Sequence, residues 1–222
     1  MTETPRPTPL PRPTSLARVA HILRHLPPSC GPVRLVAVDG HAGSGKSTFT
    51  ARLAEALGGA PVLHLDDLAS HEALFDWTGR LRQQVLEPLA RGETARYAAY
   101  DWNERRFGPT DRPLPAAPVV LMEGVGSGRR VLRPFLAGLL WMDLPQRASW
   151  ARGRRRDGPA QSDFWDGWEV AERRHFAEDP SRPCAHFLVR ELPTGYEVLP
   201  GPAEAATEPQ IITQGEGPSA AR

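Results

Sequence analysis

A glycine-rich segment, Gly40 to Ser47, constrains the fold more than any other feature of this 222-residue chain. Its residues, Gly-His-Ala-Gly-Ser-Gly-Lys-Ser, fit the pattern G-x-x-x-x-G-K-[ST] in full. The β-branched run Val33 to Val38 precedes it, and a helical pattern from Lys46 to about Leu57 follows it. These flanks indicate a strand–loop–helix unit, the setting in which the pattern has a structural meaning.

The chemistry of this segment is phosphate binding. Glycines let the loop curl so that its backbone N–H groups face phosphate oxygens, and the helix adds its positive N-terminal end. We expect Lys46 to reach the β- and γ-phosphates of ATP, Ser47 to ligate Mg²⁺, and Thr48 to meet the α-phosphate. The dinucleotide pattern G-x-G-x-x-G fails, because Thr48 occupies its third glycine position. The predicted nucleotide-binding residues are Gly43, Ser44, Gly45, Lys46, Ser47 and Thr48.

Strand and helix patterns alternate along the rest of the chain, which predicts an α/β fold with a doubly wound, five-stranded parallel sheet flanked by helices. The predicted strands are Val33 to Val38, Pro61 to Leu65, Val119 to Met122, Leu139 to Met142 and His186 to Val189. The predicted helices are Leu16 to Leu26, Lys46 to Leu57, Leu74 to Leu89, Gln146 to Arg156 and Phe164 to Ala177. We expect one domain over 16–200, a proline-rich disordered tail over 1–15 and a second disordered tail over 201–222.

Charge and cysteine content exclude several functional classes. The formal net charge is +1, so the chain lacks the electrostatic signature of a nucleic-acid binder. Lys46 is the one lysine among 27 basic residues, and it stands in the glycine-rich segment. No apolar run approaches the ~20 residues that span a bilayer, and the N-terminus lacks the apolar core of a signal peptide. With two cysteines, we expect a cytoplasmic protein that acts on a small molecule, without nucleic-acid or membrane partners.

Acidic residues follow two of the predicted strands. Asp66 closes the second strand and Glu123 closes the third. Ligands of doubly wound sheets bind beyond the carboxyl ends of the strands, so both acids belong at the site. We interpret Asp66 as the acceptor of a hydroxyl proton and Glu123 as a magnesium ligand, direct or through water. The alternative is that each acid only caps the following turn.

A basic cluster follows the fourth strand. Helix geometry puts Arg152, Arg155 and Arg156 on one side, while Arg154 faces away. Arginines in a short lid at this place would neutralise a transferring phosphoryl group and exclude water. The alternative is a solvated basic face. For the tryptophans that follow, Trp165 and Trp168, the three-residue spacing favours core packing over ligand stacking.

Taken in order, these motifs resemble the uridine-kinase-like family of P-loop kinases, which includes nicotinamide riboside kinase and pantothenate kinase. The resemblance covers Val33 to about Val189. It implies that Asp66 activates the acceptor hydroxyl and that Arg152 and Arg156 hold ATP phosphates. It further implies that the element Tyr100-Asp101-Trp102 contacts the base of a nucleoside.

The chain departs from the family where the base is read. Leu68 and Ala69 replace two aromatic residues, and Arg105 stands where uridine kinases have a histidine. An arginine there suits an acidic or phosphorylated acceptor. Three hypotheses therefore remain: an ATP-dependent kinase for a nucleoside-like hydroxyl, a nucleoside monophosphate kinase using Arg96, Arg105 or Arg106, and a non-catalytic nucleotide-dependent switch. A homo-oligomer stays open.

Overall fold

The computed structural model describes residues 15–205 of the chain. The predicted tails lie outside this part, apart from Ser15 and residues 201–205. Ser15 caps the first helix, where its hydroxyl oxygen accepts a hydrogen bond from the Arg18 N–H at 3.3 Å. Residues 202–205 form one short helical turn.

All five predicted strands are present in the main sheet, and the described part of the chain has three further strands. They are β1 (Arg34–Asp39), β2 (Val62–His64), β3 (Ala95–Asp101), β4 (Arg106–Leu114), β5 (Val119–Glu123), β6 (Gly138–Met142), β7 (Phe187–Leu192) and β8 (Gly195–Pro200). The main sheet has the order β2-β5-β1-β6-β7-β8. Its first five strands are parallel, which confirms the predicted fold class, and β8 pairs antiparallel with β7. Strands β3 and β4 form a separate antiparallel hairpin.

Two of the three additional strands, β4 and β8, lack the sequence signals on which the prediction depended. The sequence of β4 contains Gly108, Pro109 and Pro113, and glycines and prolines are uncommon inside strands. β8 is an edge strand in which Val198 is the buried side chain, so it offers no apolar run. Both strands are stabilised by pairing with a neighbour rather than by their own composition.

The helices flank the main sheet. They are α1 (Leu16–His25), α2 (Lys46–Ala56), α3 (Thr78–Leu81), α4 (Glu87–Ala90), α5 (Gln146–Asp157), α6 (Ser162–Glu178) and α7 (Pro202–Ala205). The helix predicted from Leu74 instead begins at Thr78, and a π-helical turn over Arg82–Leu86 joins α3 to α4. Pro88 has no N–H for a helical hydrogen bond, and its ring crowds the preceding turn, which widens the helix there. Among the described residues, no helix is long and apolar enough to cross a membrane.

The core has two layers because alternate strand residues face opposite sides of the sheet. On one side, Val36 and Leu121 pack with side chains of α1 and α2. On the other side, Leu35 and Met122 pack with α3, α4 and the β3–β4 hairpin. The carboxyl ends of β1, β2 and β5 consequently meet at one edge, where the loop after β1 and the acids after β2 and β5 come together.

Candidate active site

The loop between β1 and α2, Gly40 to Ser47, is called the phosphate loop below, and it has the curled conformation that its glycines predict. Gly43 and Gly45 adopt left-handed backbone angles, with φ of 81° and 93°. A Cβ on Gly43 would lie 2.1 Å from the carbonyl oxygen of Ser149 in α5, so only glycine fits this contact. The loop therefore packs directly on the backbone of the arginine-rich helix.

Asp39, at the end of β1, fixes the start of the loop. Its buried carboxylate accepts hydrogen bonds from the N–H groups of Gly40 (2.7 Å), Gly126 (2.9 Å) and Gly128 (2.8 Å). Two of these donors belong to the segment after β5. One carboxylate thus joins the phosphate loop to the loop that follows Glu123.

Lys46 begins α2 and is enclosed by the loop. Its Nζ donates to the carbonyl oxygens of Gly40 and His41, each at 3.1 Å, and the residue is only 8% exposed. The ammonium group is therefore held at the positive end of α2, where a triphosphate would bind.

Ser47 and Glu123 are adjacent, as a shared magnesium site requires. The Ser47 hydroxyl donates to Glu123 Oε1 at 3.0 Å, and His64 Nδ1 donates to the same oxygen at 2.6 Å. Burial alone would raise the pKa of Glu123, but the His64 hydrogen bond and the Lys46 charge outweigh it and hold the pKa below its ordinary value. An ionised carboxylate beside a hydroxyl provides the oxygen donors that Mg²⁺ prefers.

These donors fit magnesium that arrives with a nucleotide. Within residues 15–205, no group of three His, Cys, Asp or Glu side chains is placed to hold a metal ion by itself. Mg²⁺ is commonly held by one or two protein oxygens together with substrate phosphates. Ser47 and Glu123 are the residues that would hold it here.

Asp66 lies in a short 3₁₀ turn directly after β2, and its carboxylate is accessible from the same cleft. The surrounding protein and the negative charge of Glu123 raise its pKa, although Lys46 acts in the opposite direction. A carboxylate with a raised pKa is a better proton acceptor near neutral pH. The two predicted carboxylates therefore differ in the direction of their pKa shifts.

Three aromatic rings line the cleft beside Asp66 and are called the aromatic wall below. The rings of His71, Trp102 and Phe164 are neighbours, with centroid distances of 4.9 Å (His71–Trp102) and 6.0 Å (Trp102–Phe164). Tyr100 is buried behind this wall, where its hydroxyl forms a 2.9 Å hydrogen bond with His71 Nδ1. The Trp102 indole N–H donates to the backbone oxygen of Asp66 at 3.2 Å, which links the wall to the acid.

The remaining predicted acceptor residues lie in the hairpin turn. Asp101 Oδ1 accepts from the backbone N–H groups of Asn103 and Glu104, both at 2.9 Å, so this acid shapes the turn. Arg105 has a left-handed φ of 52° and does not line the cleft. Its guanidinium instead lies 3.7 Å from the Glu72 carboxylate.

The arginines of α5 divide into two groups. Arg152 and Arg156 line the cleft, where Arg152 pairs with Glu191 of β7 and Arg156 pairs with Asp157 at 2.6 Å. Arg154 lies outside the cleft lining and forms ion pairs with Asp166 and Glu169 of α6. The Arg152–Glu191 pair lies above the phosphate loop, since both groups would be 3.6 to 3.8 Å from a Cβ on Gly45.

The two tryptophans of α6 are core residues, as their spacing indicates. Trp165 and Trp168 are buried with Val125 and Trp150 in a cluster between α5 and α6. Both tryptophans also line the cleft. Gly153 makes this packing feasible, because a Cβ there would lie 2.2 Å from the Trp165 ring.

Together these groups surround one cleft of about 790 Å³. Its lining includes residues of the phosphate loop, Asp66, Arg152, Arg156 and the aromatic wall. Sequence reasoning assigned no role to His64, to Phe164 as a wall residue, or to a buried glutamate of α6, Glu172. His64 stands two residues before Asp66, and that proximity was the available signal. Glu172 contacts residues 131 positions away, which no local pattern reveals.

Comparisons with known proteins agree with this architecture. No protein-family model and no curated protein matches the sequence. Among solved structures, a "possible uridine kinase" from Bacillus stearothermophilus is 18% identical, with a TM-score of 0.51 over 72% of this chain and 94% of that one. A "putative fructose transport system kinase" from Silicibacter sp. TM1040 is 22% identical, with a TM-score of 0.55 over 76% and 90%. At these identities the likeness concerns the fold, which is that of P-loop kinases.

Proposed function

We propose that this chain with a P-loop-kinase fold is an ATP- and Mg²⁺-dependent kinase for a hydroxyl group of a small, nucleoside-like acceptor. One observation carries the proposal. The Asp66 carboxylate opens into the same cleft as the phosphate loop with Lys46 and Ser47. A nucleotide-dependent switch needs one carboxylate for magnesium, which Glu123 provides, so the second carboxylate at Asp66 supports an acceptor hydroxyl.

The residues divide the work of phosphoryl transfer among them. Lys46, Arg152 and Arg156 neutralise the charge of the transferring group, and Asp66 takes the proton of the attacking hydroxyl. Ser47 and Glu123 would hold magnesium, which would supply positive charge against the phosphates. Most of the rate then comes from positioning the acceptor hydroxyl against the phosphoryl group.

The aromatic wall supports an acceptor with a planar ring. His71, Trp102 and Phe164 line the same cleft as Asp66, and Trp102 is hydrogen-bonded to the Asp66 backbone. Aromatic side chains bind heterocyclic bases by stacking without selecting one base. A nucleoside-like compound would place its ring against this wall and its hydroxyl toward Asp66.

The arrangement favours this acceptor over a nucleoside monophosphate. A phosphorylated acceptor needs a cation at the acceptor end, and Arg96, Arg105 and Arg106 were the candidates. None of the three lines the cleft, and Arg105 is paired with Glu72. The lining cations are Lys46, Arg152 and Arg156, which belong to the phosphate loop and α5.

We also propose that the enzyme is cytoplasmic. Cys30 and Cys184 are both free thiols, which suits a reducing compartment.

An ADP-release screen over nucleosides, nucleoside monophosphates, sugars and vitamins tests the proposal. We expect acceptor-dependent ADP formation with a nucleoside-like compound, and its loss by orders of magnitude in Lys46→Ala with the fold retained. Turnover in Lys46→Ala close to that of the wild type would contradict the assignment. ATP hydrolysis that no acceptor accelerates, together with a stable protein complex, would favour the nucleotide-dependent switch. Phosphorylation of CMP or UMP but of no free nucleoside would favour the monophosphate kinase.

A further inference from the structure

A fully buried carboxylate joins the phosphate loop to the two helices that cover it. Glu172 lies near the middle of α6 and has no exposed surface. The phosphoryl-transfer chemistry described above does not use it. Burying a carboxylate is costly unless it is fully hydrogen-bonded, so its partners show what it does.

Four donors surround Glu172, two for each oxygen. Oε1 accepts from His41 Nδ1 at 2.6 Å and from the Trp150 indole N–H at 3.0 Å. Oε2 accepts from the Ala42 backbone N–H at 3.0 Å and from the Trp168 indole N–H at 2.8 Å. These four hydrogen bonds come close to the full capacity of an ionised carboxylate.

The electrostatic setting keeps Glu172 charged. Burial alone would raise its pKa, but the hydrogen bonds from His41 and Ala42 outweigh burial and hold the pKa below the ordinary value. The His41 ring is held in turn by edge contacts with Trp141 and Phe176, at centroid distances of 5.3 and 5.1 Å. The carboxylate and its loop partner are therefore both fixed in orientation.

The partners belong to parts of the site that must act together. His41 and Ala42 precede Gly43 in the phosphate loop, and Trp150 precedes Arg152 in α5. The loop also packs on α5 directly, where Gly43 approaches the Ser149 carbonyl. Loop and helix are thus joined by two contacts, one polar and one steric.

We infer that Glu172 is a positioning residue that holds the phosphate loop and the arginine-bearing helix α5 in the arrangement that receives a triphosphate. The inference rests on the proposed function, since it assumes that the loop binds ATP. It assigns to Glu172 no contact with the nucleotide. Its effect on the reaction passes through His41, Ala42 and Trp150.

Glu172→Gln is the sharpest variant because it changes two oxygens into one oxygen and one amide. The oxygen still accepts from two donors. The NH₂ group can donate to His41 Nδ1 in the other histidine tautomer, but the Trp150 indole N–H then has no acceptor. We expect this conflict to shift the loop relative to α5 in the free protein, so that nucleotide binding must restore the arrangement. We therefore expect a cost that appears in nucleotide affinity and not only in stability.

Calorimetric titration with a non-hydrolysable ATP analogue and Mg²⁺ measures this cost. We expect Glu172→Gln to bind about tenfold more weakly, the effect of leaving buried donors unsatisfied. Trp168→Phe removes one donor but keeps the ring, and we expect a loss of roughly threefold. Glu178→Gln, on the same helix in an exposed pair with Arg174, is the matched control and should bind like the wild type.

Steady-state kinetics with the acceptor from the screen separate positioning from folding. Glu172→Gln should raise KM for ATP and leave KM for the acceptor unchanged. If both variants fold and bind the analogue as tightly as the wild type, the inference about Glu172 is overturned while the proposed function stands. If Glu172→Gln does not fold, the affinity of Trp168→Phe for the analogue decides the inference. A wild-type protein that does not bind the analogue would overturn the proposed function and this inference with it.

Discussion

Asp66 and Glu123 show how one cleft gives two carboxylates opposite properties. Glu123 is hydrogen-bonded by His64 and Ser47, and its pKa is held low. Asp66 lacks such donors, and the surrounding protein together with the Glu123 charge raises its pKa. Pairs of acids whose environments separate their pKa values commonly divide into a proton acceptor and a charge-stabilising group.

The raised pKa of Asp66 predicts a pH dependence. Asp66 must be deprotonated to accept the hydroxyl proton, so activity falls as the pH drops through its pKa. We expect the acid limb of kcat/KM for the acceptor to lie above the ordinary aspartate value of about 3.9. A pH–rate profile measures it, with a binding titration of the ATP analogue over the same range as control. An acid limb at or below the ordinary value would contradict this role.

Substitution of Trp102 should weaken binding of the acceptor and leave binding of ATP unchanged. Trp102→Ala should raise KM for the acceptor about tenfold, the usual scale for losing a stacking partner. The affinity for ATP should remain unchanged, because Trp102 belongs to the aromatic wall and not to the phosphate loop. Trp102→Phe keeps a ring but loses the hydrogen bond to the Asp66 backbone, so it separates stacking from positioning. An unchanged acceptor KM in Trp102→Ala would remove the aromatic wall from the site.

The two helices over the phosphate loop depend on close backbone approach. Gly43 meets α5 from the loop side, and Gly153 of α5 meets the Trp165 ring of α6. The arginine-bearing helix is therefore packed on both sides. Its arginines are carried by an anchored element, so their placement depends on this packing.

Two glycines in helical segments predict opposite effects on stability. Gly153→Ala should destabilise by about 1–3 kcal/mol, because its Cβ would lie 2.2 Å from the Trp165 ring. Gly167→Ala in α6 should stabilise by about 0.5–1 kcal/mol, since no atom lies within 4 Å and alanine favours a helix. Urea unfolding measures both changes. Equal effects of the two substitutions would show that the α5–α6 contact is looser than described.

The elements that could be predicted from the sequence are those with a pattern of their own. The central strands are short apolar runs, and the phosphate loop has fixed residue types at fixed spacing. The hairpin strands β3 and β4 pair with each other, β8 pairs with the preceding strand β7, and prolines conceal β4. The π turn before Pro88 arises from a clash within the helix that periodicity alone does not show.

At the level of the site, the sequence indicated the residues proposed to touch ligands better than the residues that support them. Lys46, Ser47, Asp66 and Glu123 follow strands or a known motif, so the edge of the sheet brings them together. His64 and Glu172 act through contacts with residues 59 and 131 positions away. Arg105 was interpreted from a family position, whereas a left-handed turn and Glu72 determine where it lies.

Across the whole molecule, the parallel sheet collects distant residues at one edge. The loop after β1 supplies the phosphate site, the turn after β2 supplies Asp66, and β5 supplies Glu123. The β3–β4 hairpin and α6 close the cleft with aromatic rings. The proposed reaction requires all of these parts to act together in one cleft.

Direct detection of the phosphorylated acceptor by mass spectrometry, in wild type and Asp66→Asn, tests this claim. The wild type should convert ATP and a nucleoside-like acceptor into ADP and the phosphorylated product. Asp66→Asn should form the product about 100-fold or more slowly, as expected for loss of a general base, with unchanged affinity for the ATP analogue. Product formation by Asp66→Asn at the wild-type rate, or no phosphorylated acceptor from the wild type, would contradict the claim.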